Sequence, residues 1–252
     1  MNVQRLKALG RLARAFAKAL ARAGRRTAQM YLEPFKLVEE VKFSPDASGP
    51  AILLSITFAI QTLIAAQLVT GVTIVTNGTR ESLLDMFYSN IAGYVSMRAA
   101  TLFVFWFILF VIYWFIMYLF GSRIEGFTVF SATGYILSSQ LLAFSVYFAS
   151  YVIASRIVPA VELVSQPGAY PRLLALTAYL YRLDLTSSHI GIPLRYLLDA
   201  MSYFGTIWNM VLTLLTFKII GDLSWKKSIA GTAAAMAVSW LLASLFRAAG
   251  ML

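Results

Sequence analysis

Six basic residues recur at helical spacing near the start of the chain: Lys7, Arg11, Arg14, Lys18, Arg22 and Arg25. On a helix that turns about 100° per residue they form one stripe, and the opposite face carries leucine, alanine and Phe16. A row of cations beside an apolar face is typical of a helix that lies among lipid headgroups and pairs with their phosphates. The stripe therefore predicts contact with anionic lipids.

Other interpretations of this segment stay open. A helix of this length is marginal in water, so the segment could be a solvated helix or a disordered arm. Nucleic-acid binding is disfavoured because Phe16 is the only aromatic residue among the cations, and we expect no nucleic-acid partner. An acid-free, arginine-rich start also resembles a mitochondrial transit peptide, but these are usually serine-rich and the first serine here is Ser44. Residues 1–32 lack a continuous apolar core, so no cleaved signal is expected.

Little else in the chain has the residues for chemistry. The chain has no cysteine and only one histidine, His189. This composition excludes disulfides, ordinary nucleophilic triads and zinc sites. Phosphate-binding glycine loops and the HExxH motif are also missing. The sequence therefore predicts a protein that is not an enzyme and has no cofactor or metal. His189 is expected to be a surface or interface residue.

Lipid is the expected solvent for most of the chain. Hydrophobic residues make up 60% of it and charged residues 13%, where soluble domains have about a quarter charged. Five apolar runs can each cross a hydrocarbon core of about 30 Å. We predict an all-α polytopic membrane helix bundle with five transmembrane helices plus an amphipathic N-terminal helix. The spans are predicted at about 51–75, 99–120, 129–153, 194–220 and 228–246.

The basic residues also predict an orientation. If the N-terminus is inside, fourteen Lys and Arg lie inside and seven outside, and all seven lysines lie inside. Residues 1–30 then form a cytoplasmic basic amphipathic helix, and residues 31–50 an interfacial helix and an elbow. Residues 51–252 form the five-span membrane domain, with the C-terminus outside.

The segments between the spans carry further predictions. Residues 76–98 are expected to include an interfacial helix on the outer face, and residues 158–193 to pack on the outer ends of the bundle. Asn77-Gly78-Thr79 is an N-glycosylation sequon on that side. Arg195 and Asp199 are spaced for an i,i+4 ion pair. Within the spans, Gly231 and Ala235 have the spacing that permits close helix packing.

Four amide side chains lie within the predicted spans: Gln61, Gln67, Gln140 and Asn209. Amides at this depth usually make hydrogen bonds between helices, each worth about 1 kcal/mol. If they instead converged on one path, they would suit a transporter or channel. The sequence shows neither an inverted repeat nor a broken span in favour of that alternative.

Three groups of motifs resemble the prokaryotic branch of the Ypt-interacting-protein (Yip) family over about residues 30–245. They are Leu32-Glu33-Pro34-Phe35-Lys36 with Ser44-Pro45-Asp46 and Gly49-Pro50, then Phe127 to Tyr135, then Leu198-Asp199-Ala200 with Ile207-Trp208. The resemblance implies a five-helix bundle with a cytosolic N-terminus in a prokaryotic cell membrane. It also implies packing roles for Gly134, Tyr135, Asp199 and Trp208. Eukaryotic members act in vesicle traffic with Rab-type GTPases, but their Asp-Leu-Tyr-Gly-Pro motif is missing, and Ser138 and Ser139 replace a usual proline.

Together these features predict a non-catalytic integral membrane protein with a lipid-binding basic tail. It would organise the membrane or recruit a protein partner on the cytoplasmic face. The alternative is a subunit of a membrane transporter or secretion channel. The sequence leaves the oligomeric state open.

Overall fold

The computed structural model describes residues 3–76, 79–157, 161–164 and 191–248. The sequon residue Asn77 and His189 lie outside these ranges, as does most of the segment predicted to pack over the outer ends of the bundle. Further statements concern the described residues.

Helices dominate these residues. They are α1 (Val3–Leu32), α2 (Pro34–Phe43), α3 (Ser48–Val69), α4 (Leu83–Leu119), α5 (Gly126–Ser138), α6 (Leu141–Ile157), α7 (Gly191–Leu215), a π-helical turn (Thr216–Ile220) and α8 (Trp225–Ala248). Five stretches are long and apolar enough to cross a membrane: Ser48–Val69, Leu83–Leu119, Gly126–Arg156, Ile192–Ile220 and Trp225–Phe246. The predicted all-α membrane protein with five spans is confirmed.

The boundary between the first two spans differs from the prediction. Helix α3 ends at Val69, and two short strands follow, β1 (Val72–Thr76) and β2 (Thr79–Ser82). They pair antiparallel, and β1 also pairs in parallel with β3 (Val161–Val164). Every residue of β1 is β-branched, which favours a strand over a helix. Gly71 ends the preceding turn with a φ of +76°, a conformation that suits glycine.

The expected interfacial helix within 76–98 is not a separate element. Helix α4 begins at Leu83 and continues without a break through the second span to Leu119. Its 37 residues measure about 56 Å at 1.5 Å per residue, well beyond a hydrocarbon core of about 30 Å. The second span and the segment before it are therefore one long helix.

The third span is interrupted, and the prediction of no broken span was wrong. Helix α5 ends at Ser138 and α6 begins at Leu141. The Ser138 hydroxyl donates a hydrogen bond to the Gly134 carbonyl at 2.7 Å, and such bonds from serine often bend helices. The Ser139 N–H bonds to the Ile136 carbonyl at 3.1 Å, which tightens the last turn. The serine pair thus ends the helix.

The chain divides into two compact units. Unit 1 consists of Met1–Ile56, Phe105–Ser139 and Trp208–Ser239, and unit 2 of Thr57–Val104, Gln140–Ile207 and Trp240–Leu252. In unit 1, α2 buries Leu37, Val38 and Val41 against α5 and the π-helical turn. In unit 2, buried residues of α3, α4, α6 and α7 form an apolar cluster around Phe87 and Leu198. Each unit thus has its own apolar core.

Candidate functional site at the base of the basic helix

The guanidinium of Arg26 is fully buried in unit 1. Its Nη1 donates to the carboxylate of Asp46 and, at 3.2 Å, to the hydroxyl of Tyr135. Its Nε donates to Glu40 at 3.1 Å, and its Nη2 to the carbonyl of Ser44 at 2.8 Å. A buried arginine is tolerated only when its charge is paired and its N–H groups are bonded, as they are here.

Asp46 joins three segments that are distant in sequence. Besides Arg26, its carboxylate accepts the Tyr135 hydroxyl at 3.1 Å and the N–H of Gly49 at 2.9 Å. The bond to Gly49 caps the start of α3, because the first amides of a helix have no partner within it. The N–H of Asp46 in turn bonds to the hydroxyl of Ser131 in α5 at 3.2 Å. One carboxylate thus ties α1, α3 and α5 together.

Glu40 on α2 completes the group, which we call the Arg26 network: Arg25, Arg26, Glu40, Asp46 and Tyr135. Its carboxylate accepts hydrogen bonds from Arg25, Arg26 and Gln29. Desolvation by burial opposes its ionisation, but the bonds from Arg26 and Gln29 outweigh that effect and lower the pKa of Glu40. The pKa of Arg26 is raised because Tyr135 and the Asp46 charge outweigh its own desolvation. Two arginines against two carboxylates make the network neutral.

Gly134 and Tyr135 lie next to each other in α5. A Cβ atom on Gly134 would be 2.4 Å from the Cβ of Pro50 and 2.7 Å from the indole of Trp106. Pro50 at the start of α3 and Trp106 of α4 can approach α5 this closely only because Gly134 has no side chain. Tyr135, for which the resemblance implies a packing role, also places its hydroxyl in the Arg26 network.

The other two family-motif residues lie in different environments. Trp208 donates its indole N–H to the Met30 carbonyl at 3.0 Å, and its ring stacks on Tyr31 at 6.5 Å between centroids. Trp208 therefore holds the C-terminal end of α1. Asp199 belongs to unit 2 and pairs with Arg195 at 3.9 Å, with both side chains partly exposed. It does not join the Arg26 network.

The predicted lipid-contact residues divide into two groups. Arg11, Arg14, Lys18 and Arg22 are exposed along α1. Arg25 is engaged by Glu40, and the side chain of Lys7 lies outside those described. The stripe available to a ligand is therefore shorter at its C-terminal end than the sequence predicted.

Sequence reasoning missed Arg26, Glu40 and Asp46 as a group. The signal was present in α1: Ala23, Arg26 and Met30 are spaced i, i+3, i+7 and lie off the cation stripe. All three are buried. An arginine off the cation stripe of an amphipathic helix requires an acid if it is buried, and four acids follow within twenty residues, of which Glu40 and Asp46 bind it.

The amides of the spans make separate hydrogen bonds. Gln67 bonds to the Ser155 hydroxyl, Gln140 to the Gly205 carbonyl at 3.0 Å, and Asn209 to the Ile136 carbonyl at 3.4 Å. Gln61 is partly buried in α3. The bond from Asn209, like that from Tyr31 to the Ser139 carbonyl, occupies a backbone group at the interruption of the third span. These bonds tie helices together, as expected for amides in lipid.

A small cavity lies beside the Arg26 network in unit 1. It encloses about 10 Å³, and mainly apolar side chains of α2, α5 and the end of the fourth span line it, including Val38, Ala132 and Leu212. That volume is at the lower limit for one water molecule. The cavity is a packing defect, too small for a substrate.

Comparison of the chain with protein-family models, with curated proteins and with solved structures found no match. The resemblance to the Yip family therefore rests on the motif residues alone. The paired buried charges of the Arg26 network can fix the C-terminal end of α1 relative to α2 and α5.

Proposed function

We propose that this multi-pass membrane protein is not an enzyme and acts by holding its basic N-terminal helix against the anionic cytoplasmic leaflet of a prokaryotic cell membrane. There it would organise the membrane or recruit a protein partner on the cytoplasmic face, within an architecture like that of the Yip family. Gln67, Gln140 and Asn209 bond to separate partners and do not line one common path, which disfavours the transporter alternative.

The observation that carries the proposal is that α1 is anchored at its C-terminal end, while its described side chains from Arg11 to Arg22 are mostly exposed. From Ala23 onward the Arg26 network and Trp208 hold it. Between Arg11 and Arg22 the exposed side chains include apolar ones, with Phe16 63% and Leu20 47% accessible. An apolar face left open beside a row of cations suits an anionic membrane surface.

The direction of the apolar face supports a membrane contact. Phe16 precedes Ala23 by seven residues, or about two turns, so the two side chains leave the helix on the same face. Ala23 is buried, on the side of α1 that packs within unit 1. The exposed apolar side of α1 around Phe16 therefore continues the face that is buried in unit 1 at Ala23.

The composition of unit 1 supports the predicted orientation. It contains α1, the turn with Arg123, and the turn that bears Lys218, Lys226 and Lys227. These are the segments that the charge count assigns to the inside. Lys227 donates to the carbonyl of Phe120 at the end of α4 at 2.8 Å, and Lys218 donates to that of Leu223, in the turn before α8, at 2.9 Å. With five spans, this arrangement corresponds to a C-terminus outside.

The expected strength is modest and depends on salt. A cation near an anionic surface contributes about 1 kcal/mol, so Arg11, Arg14, Lys18 and Arg22 contribute about 4 kcal/mol together. This attraction acts within a Debye length of about 8 Å at physiological ionic strength. Salt should therefore weaken it, while the Arg26 network keeps the base of α1 in place.

The test uses the full chain, whose lack of cysteine allows labelling at one introduced site. A spin label at Ala13→Cys, on the exposed apolar side, reports depth by collision with oxygen and with a nickel chelate. Nanodiscs of phosphatidylcholine with and without phosphatidylglycerol are compared at low and high salt. We expect burial of the label only with anionic lipid, and release by salt.

A charge-matched pair of variants separates the stripe from net charge. Arg11→Gln/Arg14→Gln/Lys18→Gln removes three cations from α1, and Lys36→Gln/Arg123→Gln/Lys226→Gln removes three exposed ones elsewhere. Only the first should release the Ala13→Cys label. Equal depth in neutral nanodiscs, or equal release by both variants, would refute the proposal.

A further inference from the structure

Helix α2 and the last residue of α1 expose three large apolar side chains: Leu32, Phe35 and Phe43 are 80%, 57% and 82% accessible. The opposite side of α2 buries Leu37 and Val38 in unit 1. The exposed side chains lie within twelve residues of one another. Exposure of these three side chains to water would cost free energy, so this surface is expected to contact lipid or protein.

The packing of α2 indicates its depth. Its buried side lines the small cavity together with Ala132, Tyr135 and Ile136 of α5. These residues come six to ten positions after the start of α5 at Gly126, which is about 9–15 Å along the helix axis. Helix α2 therefore lies alongside the membrane-spanning helices rather than beyond their ends.

The exposed side of α2 has the chemistry of the boundary between headgroups and acyl chains. Phe35, Glu39 and Phe43 follow one another at i,i+4 spacing, with Lys36 and Lys42 on either side. Phenyl rings favour the acyl side of this boundary, and long charged side chains can extend to the headgroups. Lys36 also pairs with Glu33 at 2.8 Å. This side of α2 carries no net charge that would select anionic lipids.

We infer that Leu32, Phe35 and Phe43 hold α2 at the headgroup–acyl boundary of the bilayer, with phospholipid as the occupant whatever its charge. The inference rests on the five-span architecture and does not require α1 to bind lipid. The contact of α2 is hydrophobic and insensitive to salt, whereas that proposed for α1 is electrostatic. The two can therefore fail separately.

The test places spin labels at Phe35→Cys and, in a separate variant, at Phe43→Cys in the otherwise cysteine-free chain. Collision with oxygen and with the nickel chelate is measured in nanodiscs of phosphatidylcholine with and without phosphatidylglycerol. The free label in buffer and a label at Phe107→Cys, on an exposed side of the second span, supply the two references. We expect both α2 labels to fall between the two references, protected from the nickel chelate relative to the free label but shallower than the Phe107→Cys label, in both lipids and at high salt.

Two results would overturn the inference. Nickel access equal to that of the free label would mean that this side of α2 faces water or awaits a protein partner. Protection that appears only with phosphatidylglycerol would mean adhesion by charge. If, in anionic lipid at low salt, the Ala13→Cys label is open to the nickel chelate while the Phe43→Cys label is protected, the proposal for α1 fails and that for α2 stands. Labels at both positions keep the test decisive if one variant does not fold.

Discussion

Replacement of Arg26 by methionine should be among the most damaging single changes in the chain. The side chain is fully buried and donates to Asp46, Tyr135, Glu40 and the backbone of α2's C-terminal end. Methionine fills much of the volume but leaves the Asp46 carboxylate buried without its cation. Removal of one partner from a buried ion pair typically destabilises by about 3–5 kcal/mol. We expect a loss of that size in the free energy of unfolding.

The measurement is unfolding by sodium dodecyl sulfate in mixed micelles, followed by circular dichroism, with the free energy taken from midpoint and slope. Arg22→Met is the matched control, since Arg22 lies one turn earlier in α1 and is exposed. Surface substitutions of that kind usually change stability by less than about 0.5 kcal/mol. Arg26→Lys should fall between the two, because lysine keeps the charge but cannot reproduce the planar fork of donors.

A double variant tests whether the cost arises from the charge pair. Asp46→Asn removes the acid but keeps an oxygen that can accept the Gly49 N–H at the start of α3. Arg26→Met/Asp46→Asn should be less destabilised than the sum of the single variants, by about 0.5–3 kcal/mol, because contacting residues couple. If Arg26→Met matches Arg22→Met, or the double variant equals the sum, the Arg26 network does not stabilise the fold as argued.

Three further outcomes are expected. Gly134→Ala should destabilise by about 1–3 kcal/mol through overpacking, whereas Gly93→Ala, where a Cβ would meet nothing within 4 Å, should be neutral or slightly stabilising in the same unfolding assay. The pKa of Glu40 is lowered in the folded protein, so its stabilising contribution is complete above the unfolded pKa of about 4.3 and is lost as pH falls through the folded value. Glu40→Gln should abolish that part of the pH dependence, and an unchanged acid profile would contradict the assignment. Trp208→Phe should cost about 0.5–1.5 kcal/mol through the lost bond to the α1 backbone, and Trp240→Phe, an exposed side chain, should cost nothing measurable; equal effects would argue against that anchoring role.

The base of α1 and the rest of the helix should respond differently to salt. The Arg26 network fixes the base of α1 through neutral, buried pairs, so salt should not loosen it. The cations further along α1 remain exposed and should respond to salt and lipid charge.

Local sequence signals determined the class of this protein. Long apolar runs predicted five spans, and helical spacing of the cations predicted a helix at the N-terminus, because both depend on near neighbours in the chain. The strand Val72–Thr76 was also visible in its β-branched residues but was absorbed into the apolar run before it. The break after Ser138 left only a weak signal, since serine is common in unbroken helices too.

The Arg26 network could be recognised only in the tertiary structure. Arg26 lies twenty residues from Asp46 and 109 from Tyr135, and no periodicity relates the three positions. Their meeting depends on the turn between α1 and α2 and on the close approach that Gly134 allows. Burial then decides the role of Arg26. In the sequence it resembles one more surface cation, but the packed helices exclude water from it, so its charge must be paired inside the protein. The sequence determined that the chain enters a membrane, and the packing of distant segments decided which of its charges hold it together.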